Sequence, residues 1–332
     1  MECLKPLPAL IELLSRDAAV VDQSLTIPPS HLSAFAPAGL YGAFAPKDVG
    51  GLELGVAETC DLVEQLAAAC LTTTFVWLQH FRLLGALLDP ATPEILRSML
   101  PLVISGEVKG GVSLGGLLPG PARLTAEAAA DGWLLNGDAP WVSGWGIVDK
   151  LMVTAREGAK RAASFVLDAK LCEGLSVTPL HLSAMNASST VTATFSNVKV
   201  PNDRYVGSQP YAPGLERPEG LRVNGSLALG IARRCCDLIG PSVLDDELRG
   251  TREELDRAGA EEIHEARARA SALAVRCAHV LAVSTGSRSA ISGDMAERST
   301  REASLLLVFA SRPSIKTALL DRMFNGSQGT SH

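Results

Sequence analysis

The chain has 332 residues, of which 47% are hydrophobic and 20% charged, and its formal net charge at pH 7 is −6. This length is enough for more than one hydrophobic core, and the hydrophobic fraction excludes an intrinsically disordered chain. A slight acidic excess without a basic patch argues against nucleic acid or an anionic membrane surface as a partner.

The cysteines and the N-terminal segment indicate the compartment. Seven cysteines are scattered along the chain without Cys-x-x-Cys spacing, which argues against a disulfide framework or a bound metal. The N-terminal apolar stretch is too short and too interrupted for a signal peptide or a membrane span. We therefore expect a reduced, soluble, cytoplasmic protein.

Residues 1–108 have the hydrophobic spacing of helices, and we assign them to an N-terminal helical domain. Apolar residues recur on one side of 56–71, and 72–88 is apolar on nearly all sides, which predicts a buried helix. A third helix is predicted at 93–105, with Thr92 as its N-cap.

In residues 109–209 the period changes to two, so we assign them to a β domain. An Asp-Gly turn at 131–132 predicts a hairpin over 126–136. Short strands at regular spacing, without helix-length segments between them, favour an antiparallel sandwich or barrel. Further strands are predicted at 151–155, 163–168, 175–180 and 189–195.

Residues 210–325 are predicted to form a C-terminal four-helix bundle, followed by a disordered polar tail at 326–332. Within it, Arg267 and Arg269 are interpreted as part of a solvated helical face. The overall prediction is an α+β protein with the order helical, β, helical. The four helices are predicted at 221–239, 253–283, 294–310 and 313–324.

Four segments add family information to this pattern. Residues 46–52 read PKDVGGL, 134–143 read LLNGDAPWVS, 195–201 read FSNVKVP and 295–303 read MAERSTREA. In this order and at these separations they resemble motifs of the acyl-CoA dehydrogenase superfamily. The resemblance implies an acyl-CoA dehydrogenase-like fold, with FAD enclosed between the β domain and the C-terminal helices.

The resemblance places Trp141, Val142 and Ser143 beside the flavin ring. A planar ring favours an aromatic neighbour, and a hydrogen-bond donor at its edge stabilises the reduced flavin. Judged from the residues alone, the preferred interpretation of Trp141 is a core residue that closes the sheet, and the resemblance favours the flavin role instead.

Two further cofactor segments are only partly matched. Ser113 takes the place of a threonine in a family loop that contacts the flavin and its phosphates, but the acid and the Gly-Ser-Asp of that loop are missing from 111–119. The alternative is a flexible connector. Thr285, Gly286 and Ser287 are the candidates for the adenine end, which family members often contact across a subunit interface.

The catalytic base of the family has no clear counterpart. The usual glutamate segment after the 295–303 helix is absent, which leaves Glu219 as a weak candidate, with Arg222 beside it as a substrate-lining residue. The alternative for Glu219 is an acid that complements the helix N-terminus. His181 is a second substrate-lining candidate, and His80 is interpreted as a core histidine.

Three functions remain open. The first is a FAD-dependent oxidoreductase that performs α,β-dehydrogenation of an acyl-CoA or acyl-carrier-protein thioester, with an atypical or missing base. The second is a flavin-dependent monooxygenase-like protein, and the third is a non-catalytic subunit with the same fold. The resemblance also implies an electron-transfer or reductase partner and a homodimer or homotetramer.

Overall fold

The computed structural model describes residues 6–212, 218–309 and 312–325. A helical region, a sheet and a second helical region follow one another along the chain, as predicted. The predicted tail at 326–332 lies outside the described residues.

The first helical region contains the two long helices that the periodicity predicts. The predicted helix at 93–105 is wrong, because the chain forms two short helices there, and a proline near the start of the second has no N–H to continue a longer helix. Thr92 is not the cap, since Pro93 occupies that position. The helices are α1 (Leu7–Asp22), α2 (Pro29–Ser33), α3 (Val56–Ala69), α4 (Leu71–Leu88), α5 (Glu94–Arg97) and α6 (Leu100–Ser105).

The middle region is one connected sheet, and the predicted hairpin forms its β2–β3 pair. The strands are β1 (Gly110–Ser113), β2 (Leu124–Ala129), β3 (Gly132–Val142), β4 (Lys150–Glu157), β5 (Arg161–Asp168), β6 (Leu175–Pro179), β7 (Val191–Pro201) and β8 (Tyr205–Pro210).

Most of the strand pairs are antiparallel, but β1 lies parallel to β4, and β2 also pairs with β4 in parallel at one position. The prediction of an antiparallel sandwich or barrel did not include these parallel pairs. The order of the main path is β6-β7-β3-β2-β4-β5-β8. Two parallel neighbouring strands need a long connection between them, and the β2–β3 hairpin lies in the connection from β1 to β4. The parallel pair brings the end of the first helical region into the sheet.

The second helical region contains five helices among the described residues, where a four-helix bundle was predicted. The predicted helix at 253–283 is wrong: Ala258 has an extended conformation, and the chain resumes as a separate helix after a turn that contains Gly259. This break allows two helices to pack against each other. The helices are α7 (Pro218–Ile239), α8 (Val243–Arg257), α9 (Ile263–Thr285), α10 (Met295–Val308) and α11 (Pro313–Asn325).

Helix α3 packs closely on α7, so the two helical regions share an interior. Ion pairs also cross between the regions: Glu64 pairs with Arg252, and Asp22 with Arg301. One continuous hydrophobic cluster includes side chains from both helical regions and the sheet. Among the described residues, no helix combines the length and apolar character needed to cross a bilayer.

Candidate functional site

The structure brings together two of the segments that the sequence predicts for a flavin. Strand β1, which ends at Ser113, contacts β3, which ends at Val142. A Cβ placed on Gly111 would lie 3.5 Å from the carbonyl oxygen of Ser143. Ser113, Trp141, Val142 and Ser143 therefore belong to neighbouring segments of one surface.

Trp141 is held in an unusual conformation at the end of β3. Its φ angle is +64°, in the left-handed region that side-chain-bearing residues rarely adopt, and the β3–β7 register shifts between Ala139 and Val142. The indole is 61% exposed, whereas Val142 is fully buried. Its interpretation as a core residue that closes the sheet is therefore wrong. Such local strain is often found at functional sites.

Ser143 belongs to a buried chain of hydroxyl groups. Its Oγ lies 2.7 Å from Thr190 Oγ1, which lies 2.8 Å from Ser188 Oγ. Three hydroxyl groups carry three hydrogens, but the chain contains two hydrogen bonds. One hydrogen is therefore left to donate to an acceptor outside the chain. Thr190 and Ser188 carry no signal in the sequence, because they lie more than forty residues from Ser143.

The Ser113 hydroxyl is buried without a partner. The residue is 1% exposed, and its Oγ makes no hydrogen bond within the described residues. An unpaired buried hydroxyl is costly, roughly 1–3 kcal/mol, and such groups in a folded protein call for an explanation. The polar edge of a flavin ring offers suitable acceptors, so Ser113, the hydroxyl chain and the exposed indole fit the ring of the implied FAD.

Residues 114–120 fit the phosphates of FAD less well, because their side chains carry no charge or hydroxyl group. A Cβ on Gly116 would lie 2.5 Å from the Ala155 backbone, so this glycine allows strand packing and leaves no cradle for a ligand. The segment is also not a flexible connector. Arg156 donates to the carbonyl oxygens of Gly116 and Leu118 at 3.1 and 3.2 Å.

The remaining predicted site residues lie elsewhere. Thr285 ends α9, and Gly286 and Ser287 follow it in a turn that contacts α9 and α10. His181 is exposed in the loop after β6.

Glu219 and Arg222 do not form an acid–arginine pair in the described residues. Glu219 is exposed in the first turn of α7. Arg222 is buried, and its Nε donates to Asp256 Oδ1 at 2.6 Å, while Nη1 donates to Ser226 Oγ at 2.8 Å. The Arg222 guanidinium is therefore directed into the second helical region, where a carboxylate already neutralises it.

His80 holds the beginning of β1. The Gly110 N–H donates to its Nδ1 at 3.0 Å, and burial lowers the pKa of His80 to about 4. A neutral ring with Nδ1 as acceptor carries its proton on Nε2, which has no partner among the described residues. His80 is thus a core histidine, as predicted, with a positioning role that the sequence did not indicate.

Within the described ranges, no group of three or more His, Cys, Asp or Glu side chains is placed to hold a metal ion. The site described above is therefore an arrangement of neutral hydroxyl groups and an exposed indole.

Comparisons with known proteins agree with this architecture. Residues 11–107 match the family model described as acyl-CoA dehydrogenase, N-terminal domain. The chain is 25% identical over 225 residues to the 2-methylacyl-CoA dehydrogenase of Solanum tuberosum, covering 64% of this chain and 54% of that one. It is 24% identical to the isovaleryl-CoA dehydrogenase of Oryza sativa subsp. japonica, covering 72% of this chain and 62% of the relative.

Solved structures share the fold over nearly the whole chain. The glutaryl-coenzyme A dehydrogenase–glutaryl-CoA complex superposes with a TM-score of 0.81 at 17% identity, covering 98% of this chain and 95% of that one. The butyryl-CoA dehydrogenase of Megasphaera elsdenii gives a TM-score of 0.80 at 18% identity, covering 96% and 95%. The dibenzothiophene monooxygenase of Paenibacillus gives 0.78 at 18% identity, covering 98% and 97%.

The two helical regions and the sheet between them define the acyl-CoA dehydrogenase fold, which confirms the predicted fold class. The match of residues 11–107, the similarity to the curated relatives and the shared fold support the resemblance to the acyl-CoA dehydrogenase superfamily. It spans 54% of the length of the curated relative from Solanum tuberosum.

Proposed function

We propose that the protein binds FAD with its ring between Ser113 and Trp141 and acts as an oxidoreductase on an acyl thioester. The observation that carries the proposal is the buried Ser113 hydroxyl, which has no partner among the described residues, next to the segment that holds Trp141 exposed. When bound, the flavin would supply the acceptor for a hydride or for electrons.

The residues of this chain would orient the ring and exclude water from it. Ser113 and the remaining hydrogen of the Ser143 chain would donate to acceptors at the ring edge. The exposed Trp141 indole would pack against the ring. His80, through the Gly110 N–H, would keep β1 in place beneath these groups.

The substrate class follows from the relatives. Their names specify a 2-methylacyl-CoA and isovaleryl-CoA, and a solved structure with this fold contains glutaryl-CoA. We therefore propose an acyl-CoA or acyl-carrier-protein thioester as substrate and α,β-dehydrogenation as the reaction. An electron-transfer protein or a reductase would be the partner, and a homodimer or homotetramer would complete the adenine end.

A second candidate function is flavin-dependent monooxygenation. Two observations favour monooxygenation: Arg222 is paired with Asp256, and Glu219 is exposed in the first turn of α7. Monooxygenation needs no base to remove the substrate α-proton, whereas dehydrogenation does. The two functions differ in the compound that reduces the flavin. In dehydrogenation an acyl-CoA bleaches the flavin anaerobically, and in monooxygenation NADH with a reductase does so.

The decisive experiment compares Ser113→Ala with Ser164→Ala. Visible absorbance after gel filtration with added FAD measures binding, and thermal unfolding of the protein without FAD measures stability. We expect Ser113→Ala to weaken FAD binding about 3- to 10-fold while raising the unfolding temperature, because it removes an unpaired buried hydroxyl.

Ser164→Ala is the matched control, since its buried hydroxyl already has a partner, Thr154 Oγ1 at 3.2 Å. We expect this variant to lose stability and to keep its FAD affinity. Wild-type protein that stays colourless with excess FAD would contradict both flavin functions and leave the third hypothesis, a non-catalytic subunit.

A further inference from the structure

A cavity that shares no lining residue with the flavin-ring site lies among α1, α3, α7 and α10. Its volume is about 300 Å³, at the lower end of the range for small-molecule pockets. Arg234 and Arg298 form part of its wall, and Ile11 and Leu238 contribute apolar surface. The cavity thus combines a cationic part with an apolar part.

The cationic part carries an excess of buried positive charge. Arg234 is 7% exposed and Arg298 is 2% exposed, and both share one buried carboxylate, that of Glu302. Arg298 Nε lies 3.8 Å from that carboxylate, and its Nη2 donates to the weak acceptor Met295 Sδ at 2.9 Å. Among the described residues, these two guanidinium groups and one carboxylate leave one buried positive charge uncompensated, and the partly buried Arg233 adds a further cation to the cavity wall.

Several donors of these arginines also have no acceptor. Arg234 Nε, Arg234 Nη1 and Arg298 Nε are buried and make no hydrogen bond among the described residues. Unpaired donors on a buried charged group are more costly than those on a neutral group. At the cavity rim, the exposed Asp237 faces solvent, where its charge is screened.

We propose that this cavity is a binding site for a small organic carboxylate. The two carboxylate oxygens would accept from the unpaired N–H groups of Arg234 and Arg298, the pairing that suits a planar guanidinium. A short apolar body would pack against Ile11 and Leu238. An organic carboxylate fits better than inorganic phosphate, because phosphate would leave the apolar wall unused. The proposal does not depend on flavin binding.

Thermal unfolding of the full chain tests the site. Sodium butyrate, sodium phosphate and sodium chloride are compared at equal ionic strength, since a ligand that binds only the folded state raises the unfolding temperature. We expect a saturable rise with butyrate that chloride does not reproduce, with the visible flavin spectrum unchanged. The affinity of Arg298→Gln for butyrate should fall about 10-fold or more.

Two further variants complete the test. Ala68→Leu places a larger side chain on the cavity wall without changing any charge, and it should also abolish the butyrate effect. Arg249→Gln removes an exposed arginine of α8 and should leave the effect unchanged. Equal rises with butyrate and chloride, or an affinity that Ala68→Leu does not alter, would overturn the proposal. Tighter binding of phosphate than butyrate would overturn the assignment of an organic carboxylate.

Discussion

At the scale of single residues, His80 shows how a buried titratable group serves the site. Its ring contacts the edge of Tyr41, with centroids 4.9 Å apart, and its Nδ1 accepts from Gly110. Burial is the main cause of its lowered pKa, and the positive charge of Lys109 acts in the same direction. The acceptor role requires the neutral ring, so protonation would break the contact that fixes β1.

This arrangement predicts that acid destabilises the protein. The pKa of His80 is about 4 in the folded chain against 6.5 for an ordinary histidine, so only the unfolded state binds a proton between these values. The resulting stability is complete above pH 6.5 and declines as the pH falls towards 4. The free energy of unfolding should drop by about 3 kcal/mol across this window.

Denaturant unfolding at several pH values measures this slope. His80→Asn supplies an amide oxygen as acceptor and should reduce the slope in this window. His181→Asn, which changes an exposed histidine, is the control and should leave the slope unchanged. Equal slopes in wild type and His80→Asn would contradict the assignment.

At the scale of helices, the crossing of α3 and α7 depends on Gly230. A Cβ on this residue would lie 2.7 Å from both Ala67 Cβ and the Glu64 carbonyl oxygen. The backbones of the two helices therefore approach too closely for a side chain. Gly230 weakens the intrinsic stability of α7, and the close contact with α3 compensates for this.

Gly230→Ala should destabilise the protein by about 1–3 kcal/mol, because overpacking outweighs the gain in helix propensity. Gly250→Ala is the matched control within α8, where a Cβ would meet nothing within 4 Å. It should stabilise the protein by about 0.5–1 kcal/mol. Chemical denaturation of both variants checks the prediction, and two changes of the same sign would contradict it.

At the scale of the whole molecule, the two helical regions and the sheet contribute to one hydrophobic cluster. Hydrophobic packing continues through all three regions, and the Asp22–Arg301 pair joins α1 to α10. Thermal unfolding should therefore give one transition. Trp77 lies in α4 and Trp133 in β3, so tryptophan fluorescence reports on the first helical region and the sheet. Far-UV circular dichroism reports mainly on the helices. Coincident midpoints are expected, and separated midpoints would show that the regions unfold independently.

Much of this architecture was predictable because its signals are local. The hydrophobic periods identified α3, α4 and α7, and the Asp-Gly turn identified the β2–β3 hairpin. Helix ends were less predictable: the break at Ala258 interrupts an otherwise helical pattern. For the site, residue patterns and resemblance selected Ser113 and Trp141, but their roles toward a flavin remain predictions.

The sequence by itself determined the order of helical, sheet and helical regions and the type of most elements, because periodicity and turn chemistry act between residues close in the chain. Only the tertiary structure decided which polar groups lose contact with water. Arg267, predicted on a solvated face, is 1% exposed, and burial lowers its pKa to about 10. The tertiary structure alone likewise decided that the Ser113 hydroxyl is buried without a partner among the described residues and that Arg234 and Arg298 line one cavity. Burial and pairing depend on neighbours that are distant in sequence, so they are properties of the packed chain.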